Sequence, residues 1–262
     1  TGGPINPHNM WPYSPQVGET YKSRVYLSGD TQSAGTGQNA SNPSRLFFSS
    51  VITSTGNITW SPNSDYVDIN PGDGEDVTAL KRFSLELLVF KPNYIYRFRT
   101  SATDPDPLIK VGTRSQESVI EGKRGCYFHH DSGFYRYSGG YPQEISRPIA
   151  DIVDAIPYSQ YDDINAWKDS DHIYWSIGNI TVQETTENIT YRNCVVRYTE
   201  SSDIWTIYSL SSEPRRGITF NNASTVRILL GLDNGLAAIF NQSNTDIGEP
   251  IEVRLRTKWY EL

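Results

Sequence analysis

Four histidines, two cysteines and one dense acidic loop hold most of the reactive chemistry this 262-residue chain can offer. A hydrolytic triad needs a serine or cysteine nucleophile and a histidine oriented by a carboxylate. His8 lies among prolines. His129 and His130 share one strand end, where successive side chains leave opposite faces. No nucleophile-elbow motif surrounds any serine, so no catalytic residue is assigned, His172 included. The acidic loop Asp68-Ile69-Asn70-Pro71-Gly72-Asp73-Gly74-Glu75-Asp76 is the one metal candidate, because Asp68, Asn70, Asp73, Glu75 and Asp76 offer the hard oxygens that suit calcium. Its register is not that of an EF-hand: Gly72 stands where a third ligand belongs and Asp73 where the glycine belongs. Pro-Gly-Asp-Gly is also a plain turn between two strands, and that reading is preferred. Cys126 and Cys194 each sit inside an expected strand and read as small buried hydrophobes. No glycine-rich loop leads from a strand into a helix, so no phosphate cradle and no cofactor is expected.

The balance of residue types bounds the function further. Formal net charge is −7 and the isoelectric point about 5.1, which opposes an electrostatic grip on nucleic acid. No run is long and apolar enough to cross a bilayer as a helix, so no membrane insertion is expected. Trp11, Trp60, Trp167 and Trp175 have rings that could stack on sugars, although scattered tryptophans are more often core. A carbohydrate- or receptor-binding module is therefore the alternative function.

Seventeen tyrosines and a 12% aromatic content favour pleated sheet over helix. Thr1–Gly18 holds four prolines and no apolar period, so residues 1–20 are expected to form an extended arm, with residues 21–262 as a single domain. Gly29–Ser44 reads as a long loop. Between these stretches one unit recurs: an apolar strand, a tight polar turn, and a second strand rich in aromatics. Cys126–His129 and Phe134–Tyr137 flank Asp131-Ser132-Gly133. Leu87–Phe90 and Tyr94–Phe98 flank Lys91-Pro92-Asn93. Cys194–Tyr198 precedes Ile204–Tyr208, and Val226–Leu232 precedes Leu236–Phe240. Arg24–Ser28 pairs with Arg45–Ser49. Gly, Asn and Asp supply the backbone angles that close such hairpins.

The hairpins recur at roughly one per 50 residues, close to the blade length of four-stranded propeller repeats. The expected fold is all-β and propeller-like, with five or six small antiparallel blades; a two-sheet sandwich is the structural alternative. Gly178–Asn188 is read as an insertion that interrupts the spacing. Ile251–Trp259 alternates apolar and charged residues and reads as a half-buried strand. One short helix is expected, capped by Ser146 and ended by Pro157, with Ile149, Ile152, Val153 and Ile156 as its apolar stripe.

In order along the chain stand Tyr21–Thr31 (YKSRVYLSGDT), Asn42–Ser50 (NPSRLFFSS), Asp65–Asp76 (DYVDINPGDGED), Val77–Arg99 ending in LLVFKPNYIYRFR, Ser118–Tyr137, and Gly139–Ile149 (GGYPQEISRPI). That series resembles a β-propeller region of structural proteins in short-tailed bacteriophages, of the nozzle and packaged-DNA-stabilising (head-closure) type. It covers residues 21 to 210. The arm has no counterpart, and residues after Leu210 follow the pattern only loosely. The resemblance implies a non-enzymatic virion component whose copies form a ring at the tail. Its partners would be other copies of itself and portal, adaptor or other tail proteins, with genome DNA passing through unbound. An acidic conduit would repel DNA and let it slide.

Overall fold

A strand that is apolar on both faces needs cover on both sides, and Glu86–Phe90 (ELLVF) and Cys126–His130 (CYFHH) are of that kind. The computed structural model, which describes residues 15–29, 43–60, 65–99, 106–183, 188–222, 225–240, 245–246 and 249–250, shows how the cover is supplied. The described residues are all-β apart from one short helix and brief 3-10 turns.

Each sheet is an antiparallel meander whose neighbours in space are neighbours in sequence. Strands β1 (Val17–Tyr21), β2 (Arg24–Ser28), β3 (Arg45–Phe48) and β4 (Tyr66–Asp68) form the first sheet, and β5 (Ala79–Phe83), β6 (Glu86–Phe90), β7 (Ile95–Phe98) and β8 (Asp106–Ile109) the second. The third is β9 (Ile120–Glu121), β10 (Cys126–His130), β11 (Gly133–Tyr137) and β12 (Gln143–Glu144). The fourth is β13 (Asn165–Lys168), β14 (His172–Gln183), β15 (Asn188–Thr199) and β16 (Ile204–Tyr208). A three-stranded sheet follows, with β17 (Pro214–Asn222), β18 (Thr225–Leu232) and β19 (Ala237–Phe240), then a short ladder of β20 (Thr245–Asp246) and β21 (Glu249–Pro250).

Consecutive sheets share cores. Val17, Tyr21, Tyr26 and Leu46 of the first sheet pack with Leu80, Leu87, Val89 and Phe98 of the second. The other face of the second sheet gives Leu88, Phe90 and Ile95 to Cys126, Phe128 and Tyr137 of the third. Tyr127 and Phe134 leave the opposite face of the third to meet Trp175, Val196 and Tyr198. Trp167, Tyr174 and Val195 pass the contact on to Ile228, Leu230 and Leu232. Adjacent residues of one strand thus serve different cores, which accounts for the unbroken apolar runs. Each such core side chain contributes roughly 1.5–3 kcal/mol relative to exposure.

All five hairpins read from the turns are present, including the β2–β3 pairing of Tyr26 with Phe48 and Leu27 with Phe47. Two local expectations need correction, and a third gains a shape. Residues 17–20, read as part of the arm, are strand: Val17 to Tyr21 pair with Ser28 to Arg24. The insertion read at Gly178–Asn188 takes the form of a lengthened hairpin, in which β14 and β15 run on together from Ile180–Tyr191 to Gln183–Asn188 past a bulge at Gly178. Ser146 does not cap the helix. Its Oγ accepts the Phe134 N–H at 3.0 Å, and a Cβ on Gly133 (φ 141°) would collide with that oxygen. Arg147–Ile149 makes a 3-10 turn before α1 (Ala150–Asp154), whose buried Ile152 and Val153 pack with Ile149 and Ile156 on β14 and its neighbours. Residues 1–14, most of Gly29–Ser44, and the expected strand Ile251–Trp259 lie outside the described residues.

Candidate functional site

The acidic loop between β4 and β5 closes around a cation that the chain itself provides. Lys91 is fully buried, and its ammonium donates to Asp73 Oδ1 (2.7 Å) and Oδ2 (2.9 Å), the Asn70 carbonyl (3.1 Å) and Ser44 Oγ (3.2 Å). Asn70 adopts a left-handed φ of 41° and donates its amide to Asp73 Oδ2 and to the Tyr96 hydroxyl, both at 3.2 Å. A buried ammonium needs a charged partner and filled donor sites, and this set supplies both.

The remaining acids of the loop have separate roles. Asp68 forms a two-point pair with Arg45 at 2.7 and 3.1 Å, and that guanidinium lies 3.7 Å over the Tyr66 ring. Glu75 Oε2 accepts the Asn93 N–H at 3.0 Å, and Oε1 takes the Asn93 side-chain amide. Asp76 is exposed on a cleft of about 250 Å³ that Asp68, Glu75 and Arg45 also line, with Pro43, Ser44, Pro71 and Gly74. Among the described residues no three His, Cys, Asp or Glu side chains converge as a metal site. The structure therefore brings Asn70 and Asp73 together around an ammonium, while Asp68, Glu75 and Asp76 border the neighbouring cleft and take no part in holding it.

The nucleophile candidates are inert by position. Both cysteines are buried and unpaired; burial pushes the Cys126 thiol up to about 12, and Cys194 moves the same way. His129 is buried between the rings of Phe134 (5.1 Å) and Tyr161 (5.0 Å), with Nε2 lacking a hydrogen-bond partner. Burial drives its imidazole down to about 3, so it stays neutral. Among the described histidines, His172 is the one bonded to a carboxylate: Nδ1 lies 2.8 Å from Asp169 Oδ1, and the Tyr174 hydroxyl donates to Asp169 Oδ2 at 2.9 Å. Asp169 also accepts the backbone N–H groups of Asp171 and His172, so the pair organises the β13–β14 turn.

Several polar side chains join one sheet to the next. The Glu200 carboxylate, in the turn after β15, accepts the N–H groups of Lys123 (3.0 Å) and Arg124 (2.9 Å) and the Tyr127 hydroxyl (2.8 Å). Gln116 completes the edge of β5, donating to the Leu80 carbonyl at 3.0 Å and accepting the Leu80 N–H at 2.7 Å. Tyr137 of the third sheet donates to Glu86 of the second at 2.7 Å. Sequence reasoning did not find these ties, since each spans 36 residues or more. The tryptophans weighed for sugar stacking are buried where described: Trp60, Trp167 and Trp175 are core residues, and Trp11 lies outside the described residues. Among the described residues the strongly exposed aromatic rings are instead Tyr141 and Tyr158.

No family model matches the chain, and no curated protein does. Among solved structures, the C-terminal domain of gp131 from bacteriophage phiKZ aligns with 65% of this chain and 48% of its own, at 12% identity and a TM-score of 0.29. The extracellular domain of a one-component system protein from B. thetaiotaomicron aligns at 13% identity and a TM-score of 0.50, over 92% of this chain and 27% of that one. The chain thus spans about a quarter of the latter and about half of the former. What it shares with the B. thetaiotaomicron protein, at that identity, is the fold.

Proposed function

We propose that this chain is a non-catalytic structural module of a bacteriophage tail, in which small sheets arranged as propeller blades help build a ring around or beside the DNA conduit. The observation that carries the reading is the succession of four-stranded meanders, each sharing a core with the next. Radial blades, none of which shields its own apolar faces, would produce such a succession. The order of segments from Tyr21 to Leu210 adds the resemblance to tail proteins. The buried polar residues tie sheets together, which suits a rigid spacer.

Contact between copies is supported by the outer face of the last three-stranded sheet. Ile218, Leu229 and Ile239 are directly opposite one another across β17, β18 and β19, and Ile218 is 59% exposed. Every preceding sheet has such a row covered by the sheet that follows. An apolar row that no other described residue covers is a natural seat for a neighbouring subunit. Native mass spectrometry and electron imaging of the purified protein, alone and with its tail neighbours, test the proposal. A closed ring of copies is the expected outcome. A monomer that joins no assembly under any condition overturns it.

A further inference from the structure

Tyr158 has an unusual setting for an exposed ring. Burial of Ile156 and the stop imposed by Pro157 fix its backbone at the start of a 3-10 turn, and 65% of the residue faces solvent. A solvated tyrosine ordinarily rotates freely, but this one is held by its neighbours. The Arg114 guanidinium lies 4.6 Å from the ring centroid, and the Tyr161 ring is 5.4 Å away. Arg114 is itself fixed, donating through Nε and Nη2 to the two oxygens of Asp131 at 3.1 and 3.3 Å. Tyr161 closes the group by donating to the Asp131 carbonyl at 3.4 Å, and its ring rests on buried His129.

Three separate segments thus converge on the surface: the loop before β9, the β10–β11 turn and the turn after α1. An exposed cation–π pair stabilises a fold only slightly. The same pre-set geometry is what binding requires, because the entropy of ordering the side chains is already lost before a ligand arrives. We propose that Tyr158, Arg114 and Asp131 form a binding site for a neutral saccharide. The C–H face of a sugar ring stacks on Tyr158, and adjacent hydroxyls bond the Asp131 carboxylate and the Arg114 Nη1 that its pairing with Asp131 leaves over.

The charge environment selects this class. Asp131 and Asp162 lie within electrostatic reach of Arg114, and Asp131 and Asp154 within reach of Tyr161. Three carboxylates against one guanidinium repel phosphates, nucleic acid and acidic sugars. An apolar ligand leaves the ion pair desolvated without partners. A polyol satisfies both, since each hydroxyl donates and accepts, and charge-assisted bonds of this kind are strong.

The test is an array of neutral hexose and deoxyhexose oligosaccharides probed with the full chain, followed by saturation-transfer NMR and titration of whichever is retained. At least one neutral oligosaccharide binds, Tyr158→Ala weakens it tenfold or more with an unchanged melting temperature, and Tyr158→Phe, which keeps the ring, binds within threefold of the parent. Retention of no neutral glycan, retention of acidic glycans or basic peptides only, or equal binding by Tyr158→Ala overturns the assignment.

Discussion

The Lys91 ammonium sits 2.7 Å from Asp73 Oδ1, fully buried, at the position in the acidic loop where a bound cation would otherwise be sought. The loop is thus a clasp between the first two sheets, with β6 leading into the lysine and the β4–β5 connection supplying the carboxylate. Replacing Lys91 by Met leaves the Asp73 carboxyl group nearly enclosed without a counter-charge. Breaking one side of a buried pair costs about 3–5 kcal/mol, and urea unfolding of Lys91→Met should show a loss of that size. Millimolar calcium should leave the melting temperature of the parent protein unchanged. A clear upward shift with calcium would contradict the clasp.

His129 predicts acid sensitivity. Burial lowers its imidazole from an ordinary value near 6.5 to about 3 in the folded protein. The unfolded chain therefore takes up a proton first, and stability falls as pH drops from about 6.5 toward 3. Between pH 6.5 and pH 5 the expected loss is about 2 kcal/mol. His130 is shifted in the same direction, chiefly by burial, and adds to the slope. Thermal melts across this range should show a shallower decline for His129→Leu than for the parent. Parallel profiles would mean that His129 takes no part in the acid response.

Glu200 predicts a local opening between the third and fourth sheets. Its carboxylate receives two backbone N–H groups and a tyrosine hydroxyl, all of which lose their acceptor in Glu200→Ala. Unsatisfied buried donors cost about 1–3 kcal/mol each where water cannot reach them, and less at the rim of this turn. Hydrogen exchange in Glu200→Ala should quicken at Lys123, Arg124 and the Tyr127 strand while the first two sheets keep their protection. Uniform acceleration across all sheets would show global destabilisation instead.

The hairpins were legible because their turns carry Gly, Asn and Asp between apolar runs, as at Asp131-Ser132-Gly133, where Gly133 takes a φ of 141°. The outer strands were not. β4, β9 and β12 are two or three residues long and partly exposed, too short for any period to register. β1 was hidden by the prolines before it, although Val17 and Tyr21 are spaced as inward-facing residues of one strand. The stripe of α1 was readable, but its Ser146 was not, because that serine's partner is Phe134 on another element. The acidic loop was visible as a cluster, while its true cation came from Lys91, fifteen or more residues along the chain. The Tyr158 site was silent, since Arg114, Asp131 and Tyr158 meet only after folding.

The apolar row on the last three-stranded sheet yields the most direct test of assembly. Ile239 pairs with Leu229, which pairs with Ile218, so one substitution at Ile239 places a charge at the end of a row that spans the sheet. Ile239 is 40% exposed, and Ile239→Lys should change the stability of an isolated subunit by less than about 1 kcal/mol. Within an interface the same lysine meets apolar surface and loses its hydration. A loss of about 2 kcal/mol or more per contact is then expected, which lowers the association constant some thirtyfold. Because a ring repeats the contact at every subunit, the penalty recurs around it and should shift native mass spectra from assemblies to monomers. Ile239→Val keeps the row apolar and should leave the assemblies in place. If Ile239→Lys assembles as well as the parent, copies do not meet through this face.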